Sequence, residues 1–482
     1  MPHNAQTKVS DSPLTRNIHG VWGSRWTFIL AATGSAVGLG NIWKFPYITG
    51  ENGGGAFVLV YLFCIALIGI PVMVAEVLLG RRGRQSPVNA MRYVTQEAGL
   101  SRFWVGIGSM GVLSGLCILA FYSVVAGWIL DYVFALGRGE FQGADSATVG
   151  KYFSDLRANT SLVIMWHSAF ILLTAAVVAA GVTKGLGMVA KVLMPLLFLM
   201  LLMMLVYGAI HGDFMRALKF MFEPDFSKVF FESMQLQGDG KWLECPAQAS
   251  NCELRFTTGP TVVALGHAFF TLSLGMGSIM AYGAYMPADA KIGSTVITVG
   301  ILDTLVALIA GLAIFSIVFA SNIEPGSGPG LLFVSLPVAF GSMSGGLVFG
   351  AIFFTLVAIA AWSSAVSLIE PGVAWLVETG RFNRVTANML LGLLAWCGGV
   401  ASIYSSEVFN FFDFITSQVM LPLGGLLIAL FVGWKMRPSI IEQEMDAEGH
   451  LLLDIWLFVL RYVSPVLVAV VFITALWKTL SA

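Results

Sequence analysis

Apolar residues along this chain fall in blocks separated by short polar stretches. Blocks of at least about eighteen such residues, long enough to cross a bilayer as a helix, recur about eleven times. Read as helices they cover approximately 24–48, 54–80, 103–136, 161–180, 186–211, 260–287, 292–322, 342–377, 386–403, 409–433 and 451–478, hereafter spans 1 to 11. Most are uniformly apolar, but two are interrupted. Span 1 carries GSAVGLGNIWKFPY from Gly34 to Tyr47, and span 6 carries LSLGMGS from Leu272 to Ser278. The stretches match as small, apolar, Gly, apolar, Gly, polar, which makes spans 1 to 5 and 6 to 10 two five-helix units. An odd number of spans inverts the second unit. Unpaired backbone is costly in lipid, so each break must face protein, water or ligand. Paired glycine-interrupted helices in inverted halves point to a binding site at the membrane midplane. A close helix-packing face, such as Gly34 with Gly38, explains one such stretch more readily than two at matching positions.

Composition supports a polytopic membrane protein: 57% of the 482 residues are hydrophobic and 11% charged, outside the usual soluble range. A net charge of -1 gives no argument for a nucleic-acid partner, and no phosphate loop, CxxC pair or HExxH motif is present. The polar first twenty residues lack a basic segment followed by a short apolar core, so no cleaved signal is expected. Arg92 and Arg102, Lys184, Lys291, Arg381 and Arg384, and Lys435 and Arg437 occupy alternate loops. The positive-inside rule therefore places those loops and the N-terminus in the cytoplasm. Five cysteines are present; Cys245 and Cys252 bracket CPAQASNC within the longest polar loop, where a disulfide and two reduced thiols are both open.

The run WGSRWTFILAATGSAVGLGNIWKFPY, followed by ENGGGAF and GIPVMVAEVLLGR, resembles the neurotransmitter:sodium symporter family, in particular its bacterial LeuT-like amino-acid transporters. The resemblance continues through FFTLSLGMGSIMAYGAYM in span 6 and SSAVSLIEP in span 8. It implies an all-α polytopic membrane protein with a LeuT-like 5+5 inverted repeat and spans 1 and 6 broken mid-membrane. The expected parts are a cytoplasmic tail at 1–21, a first repeat at 22–211, an extracellular loop at 212–259, a second repeat at 260–433, and a linker with span 11 at 434–482.

The resemblance also implies a site. The amides of Leu39 and Gly40 would receive a substrate carboxylate, helped by a half-helix dipole, and Tyr122 would donate its hydroxyl to it. Amine-transporting members carry an aspartate at the position of Gly38, so the ligand here is expected to bring its own carboxylate. Carbonyls of Ala36, Phe270 and Thr271 would meet the amino group, with Ser273 and Ser364 nearby. Ile118, Val125, Phe270, Met276 and Leu368 would enclose a neutral apolar side chain. A first sodium site maps onto Ala36, Asn41, Thr271 and Asp303; oxygen donors suit a hard cation. A second maps onto Gly34, Val37, Ala360, Ser363 and Ser364, of which the last three share one helix face. The plainer role for such serines is back-bonding to the preceding turn.

Asp303 stands where LeuT-like members often have asparagine, and an intramembrane acid is costly unless paired. It is expected to supply the negative charge that chloride provides in chloride-dependent members. Ala307 occupies the position where chloride-independent relatives often carry an acid. His267 replaces the usual glutamine near the anion site beside Tyr61, and is expected to be neutral and hydrogen-bonded. The outer gate is expected between Lys44 and Asp413, over a lid of Phe270 and Tyr122. The inner gate is expected between His19 and Glu378, near Trp22 and Tyr285, with Arg16 an alternative to His19. A histidine there makes transport sensitive to cytoplasmic pH.

The expectation is a secondary active transporter, not an enzyme. It would be a sodium-coupled, chloride-independent importer of neutral, hydrophobic or aromatic amino acids, using two Na+ ions, in the cell membrane as a monomer or weak dimer. The alternatives are a proton- or chloride-coupled carrier on the same fold and a sodium-dependent amino-acid sensor.

Overall fold

The computed structural model describes residues 19–236, 242–244, 252–321, 330–445 and 449–481. Among these, nine helices are long and apolar enough to cross a membrane. They are spans 2 to 5 and 7 to 11; spans 1 and 6 fall short because each is broken. Span 1 runs as Arg25–Ala36, opens at Val37 and Gly38, and resumes through a π turn at Gly40–Lys44 into Phe45–Glu51. Span 6 runs as Gly259–Thr271, leaves helical geometry over 272–277, and resumes as Ser278–Ala284. The matching sequences therefore break unequally, by six residues in span 6 and by two in span 1. Gly275 and Gly277 have φ of +74° and +75°, which prolongs the interruption in span 6 at positions only glycine occupies without strain.

Spans 3 (Gly106–Gly137) and 8 (Gly346–Glu378) form the centre. In their most apolar stretches 78% and 72% of residues are buried, against 33% in spans 4 (Thr160–Ala179) and 5. Spans 4 and 5 thus lie at the periphery, with residues such as Leu172, Leu199 and Ile210 exposed to lipid. The broken spans sit inside, their flanks fully or almost fully buried.

Three features of the loops depart from the sequence-based picture. The predicted loops contain helices at Pro87–Glu97, Ser146–Ala158, Phe214–Phe222, Leu336–Ser342 and Pro438–Met445. These are too short to register in a count of bilayer-length blocks. The fold is also nearly, rather than wholly, helical. Strands β1 (Phe231–Leu236), β2 (Trp242–Glu244) and β3 (Glu253–Phe256) form an antiparallel sheet in the order β2-β1-β3 in the loop after span 5. Cys252 at its base is disulfide-bonded; Cys245 and Arg16 lie outside the described residues.

Candidate functional site

Two helix breaks in a membrane leave backbone groups that must be paired locally, and here side chains from neighbouring spans pair them. In span 1 the Val37 amide still reaches Thr33 O at 2.7 Å. The Gly38 amide donates to Asn41 Oδ1 at 3.0 Å, and the Leu39 amide to Tyr122 Oη at 3.4 Å. The Ser35 carbonyl accepts from Ser273 Oγ at 2.8 Å and from Ser364 Oγ at 3.3 Å, while the Val37 carbonyl also accepts from Ser364 Oγ at 3.3 Å. In span 6 the Gly275 amide donates to Glu76 Oε1 of span 2 at 2.6 Å, and its carbonyl accepts from Ser114 Oγ of span 3 at 3.3 Å. The two breaks are joined to each other through Ser273, which holds a left-handed φ of 56°. Such strain in a serine persists only where its surroundings enforce it.

A small cavity lies between the breaks. It is lined by Ala36, Leu39, Gly40, Ile118, Tyr122, Phe270, Ser273, Met276, Ser364 and Leu368 of the expected set, together with Ser35, Gly38 and Ser367. Two expected residues do not line it. Val125 is packed among the helices, and the Thr271 side chain turns to Asp303. The cavity measures about 20 Å³, room for roughly one water, so the surrounding helices are closed upon one another. Gly38 matters here: a Cβ on it would come within 2.3 Å of Ser364 Oγ and 3.1 Å of Tyr122 Oη. The space an aspartate would fill at that position is taken by the hydroxyls of spans 3 and 8.

Beside the cavity lies a buried acid. Asp303 of span 7 is fully buried. Its Oδ1 accepts from Asn41 Nδ2 at 2.8 Å, and Thr271 Oγ1 approaches its two carboxylate oxygens at 3.2 and 3.1 Å. Asn41 Nδ2 also reaches Asp303 O at 3.1 Å. Three of the four residues expected at the first sodium site thus meet around one carboxylate. No described residue forms an ion pair with it. At the second expected site Ser364 bridges to span 1, whereas Ser363 Oγ donates to Ala360 O at 2.9 Å within its own helix. The plainer back-bonding reading therefore describes Ser363 in this conformation. His267 departs from expectation too. It is buried between Phe45 and Tyr61, at ring separations of 5.9 and 5.3 Å, and neither ring nitrogen has a hydrogen-bond partner.

The two residue pairs expected to act as gates differ sharply. At the expected inner gate His19 Nε2 meets Glu378 Oε1 at 3.0 Å, and Glu378 also accepts from the Ser86 amide at 2.7 Å, Asn89 Nδ2 at 2.7 Å and Ser86 Oγ. Trp22 packs edge-on against Tyr282 and Tyr285, and its amide donates to Tyr285 O at 3.0 Å. The Tyr285 hydroxyl bypasses this pair and donates to Glu370 Oε1 at 2.9 Å. Glu370 pairs with Arg384, whose Nε holds Val178 O at 2.7 Å. This second pair was missed by sequence reasoning, although Glu370 within SSAVSLIEP is a carboxylate in an apolar helix and so required a partner. At the expected outer gate Lys44 and Asp413 form no ion pair. Lys44 Nζ lies 4.8 Å from the Phe270 ring centroid, and Asp413 Oδ1 accepts from Ser417 Oγ at 3.0 Å.

Two inverted five-helix units whose broken helices face each other are the architecture of secondary transporters. The chain belongs to the sodium:neurotransmitter symporter family, whose model matches residues 19–141 and 260–482. It is 33% identical over 466 residues to the uncharacterized sodium-dependent transporter YhdH of Bacillus subtilis (strain 168), covering 94% of this chain and 96% of that protein. Over 354 residues it is 24% identical to the sodium-dependent neutral amino acid transporter B(0)AT2 of Bos taurus, covering 67% of this chain and 44% of that protein. Among solved structures, MhsT in complex with L-phenylalanine superposes with a TM-score of 0.82 at 39% identity, covering 95% of this chain and 99% of that one.

Proposed function

We propose that this chain imports neutral, apolar amino acids by sodium symport, with the N-terminus in the cytoplasm of a cell bearing it in its plasma or inner membrane. The carrying observation is Asp303: a fully buried carboxylate at the cavity, held by two neutral hydrogen-bonding side chains and facing the opened backbone of span 1. Burying such a charge is costly unless a counter-charge joins it, and sodium is the cation for which the family is named. In this reading Asn41, Thr271, Asp303 and the Ala36 carbonyl bind one Na+. Gly34, Val37, Ala360, Ser363 and Ser364 bind a second, with Ser363 rotating off its own helix to do so. The substrate carboxylate takes the Leu39 and Gly40 amides and the Tyr122 hydroxyl, breaking the Leu39 to Tyr122 hydrogen bond.

Side-chain choice follows from Ile118, Phe270, Met276 and Leu368, which are apolar, and from Gly38, which leaves no acid to pair an amine. Relatives agree in kind: the B(0)AT2 transporter is described as taking neutral amino acids and MhsT was solved with L-phenylalanine. With the Asp303 carboxylate supplying the negative charge beside the first Na+, transport proceeds without chloride.

Uptake of labelled leucine and tryptophan into proteoliposomes, under an imposed sodium gradient and again with potassium only, tests the coupling. Accumulation above equilibrium that needs sodium, and persists when gluconate replaces chloride, is expected. Sodium-dependent binding without accumulation would point instead to a sensor. Loss of uptake in gluconate would make the carrier chloride-coupled and remove the role given to Asp303.

A further inference from the structure

A second cavity lies away from the transport path, where spans 3, 5 and 8 meet on the side that carries the loop at 137–160. It measures about 590 Å³ and is lined by Leu136, Met200, Leu347, Val348, Ala351 and Ile352, with Thr355 at its depth and Arg138 at its mouth. This volume is within the range of pockets for small organic ligands, about 300–1,000 Å³. It equals roughly twenty waters at about 30 Å³ each, yet the walls give water almost nothing to bond. The Thr355 hydroxyl is already donated to Ala351 O at 2.7 Å. From Leu347 to Thr355 the helix rises about 12 Å, so the crevice reaches well into the hydrocarbon region.

Its surroundings decide the occupant. Phe134 of span 3, Leu199 and Met203 of span 5, and Val348 of span 8 are 49%, 58%, 40% and 65% exposed. They make the crevice continuous with the face that span 5 turns to the bilayer. A crevice open to hydrocarbon is filled from hydrocarbon, because an empty one forfeits its dispersion contacts and a wet one leaves water unbonded. The single cation at the rim, Arg138, sits where the helix leaves the membrane. Its Nη1 lies 3.3 Å from Glu140 Oε1, with side chains 68% and 35% exposed. That pair is weak by virtue of its exposure, and the guanidinium keeps donors for a second anion in its planar fork.

We propose that this crevice is a binding site for one glycerophospholipid, with an acyl chain between spans 3, 5 and 8 and its phosphodiester on Arg138. The lipid fills the gap between peripheral span 5 and the central pair of spans 3 and 8. The site is independent of the transport reading: it needs the chain to lie in a bilayer, not to carry any particular substrate.

Native mass spectrometry of the full-length protein, delipidated in detergent and titrated with phosphatidylglycerol, tests the proposal. Two variants are compared with the parent, Ala351→Phe to fill the crevice and Arg138→Gln to remove the cation. One retained lipid per chain is expected in the parent. Ala351→Phe should reduce retention at least about tenfold, a free-energy change of about 1.4 kcal/mol, and Arg138→Gln by a smaller factor. Phosphatidylcholine, which shares the phosphodiester, should show the same dependence on Arg138, and monoolein, which lacks it, should be insensitive to that substitution. Thermal unfolding in the same micelles identifies a variant that fails to fold, in which case Val348→Trp at the crevice lip replaces it. Equal retention in the parent and in a folded crevice-filling variant, or a ladder of adducts indifferent to both substitutions, would overturn the proposal.

Discussion

The two ends of the transport path are closed by different physics. Toward the N-terminal side the closure is ionic and saturated. Glu378 accepts four hydrogen bonds from His19, Ser86 and Asn89, with the His19 and Glu378 side chains only 4% and 6% exposed. Glu370, wholly buried, is held by Arg384 and Tyr285. On the opposite side the charges expected to meet stay apart, and what covers the cavity is the Phe270 ring under Lys44. Charge-assisted hydrogen bonds in a dry setting are strong and directional, while a cation over a ring is weaker and tolerates sliding. The contrast teaches that this chain concentrates its ionic contacts at the expected inner gate and leaves the expected outer gate closed by packing.

The sharpest way to break the contrast is to orphan Glu370. Arg384→Ala leaves a carboxylate buried without its cation, a change that costs about 3–5 kcal/mol. A large drop in unfolding temperature is expected, with most of it regained in the double variant Glu370→Gln with Arg384→Gln. Equal stability of the single and double variants would show that the pair does not act as a unit. Next in size is Glu378→Gln, which keeps the shape of the acceptor and removes its charge. Hydrogen bonds to charged groups contribute about 1.5–3 kcal/mol each, so amide exchange over residues 19–36 should accelerate about tenfold or more. His19→Arg sharpens the same comparison. A guanidinium opposite Glu378 carries a permanent charge and a planar fork suited to a carboxylate, so amide exchange over residues 19–36 should slow in this variant, and exchange as fast as in the parent would sink the idea.

How much of this was legible beforehand depended on whether a signal was local. The spans and both helix breaks follow from apolar block length and from glycine pairs, which are properties of contiguous residues. Ten of the twelve expected substrate residues line one cavity; six lie in or beside the breaks of spans 1 and 6, while Ile118, Tyr122, Ser364 and Leu368 lie on spans 3 and 8 and were legible only through the family resemblance. The failures are long-range. Nothing near Glu370 in sequence names Arg384 as its partner, since the helix of span 8 and the loop to span 9 intervene. Nothing near Lys44 says whether its ammonium reaches Asp413 or rests on Phe270, because that is set by how far the halves have closed. Ser35 was passed over for the opposite reason. Its carbonyl is the busiest acceptor in the break and its hydroxyl is buried without a partner, but a serine among small residues carries no distinctive pattern.

The smallest expected effect is also the most discriminating. Lys44→Met keeps the aliphatic stem and removes the charge above Phe270, a contact that contributes about 0.5–1 kcal/mol in an exposed setting and about 2 when desolvated. If packing alone closes the outer side, amide exchange over residues 40–51 should rise by no more than about fivefold, within about 1 kcal/mol, and Asp413→Asn should change it less still. Adding the second substitution to the first should then give a nearly additive result, since the two side chains share no bond in this conformation. A strong coupling between them would mean that a state in which Lys44 and Asp413 do meet is well populated. The outer closure would then share the ionic character of the inner one, and the difference between the two ends would be one of conformation, not of construction.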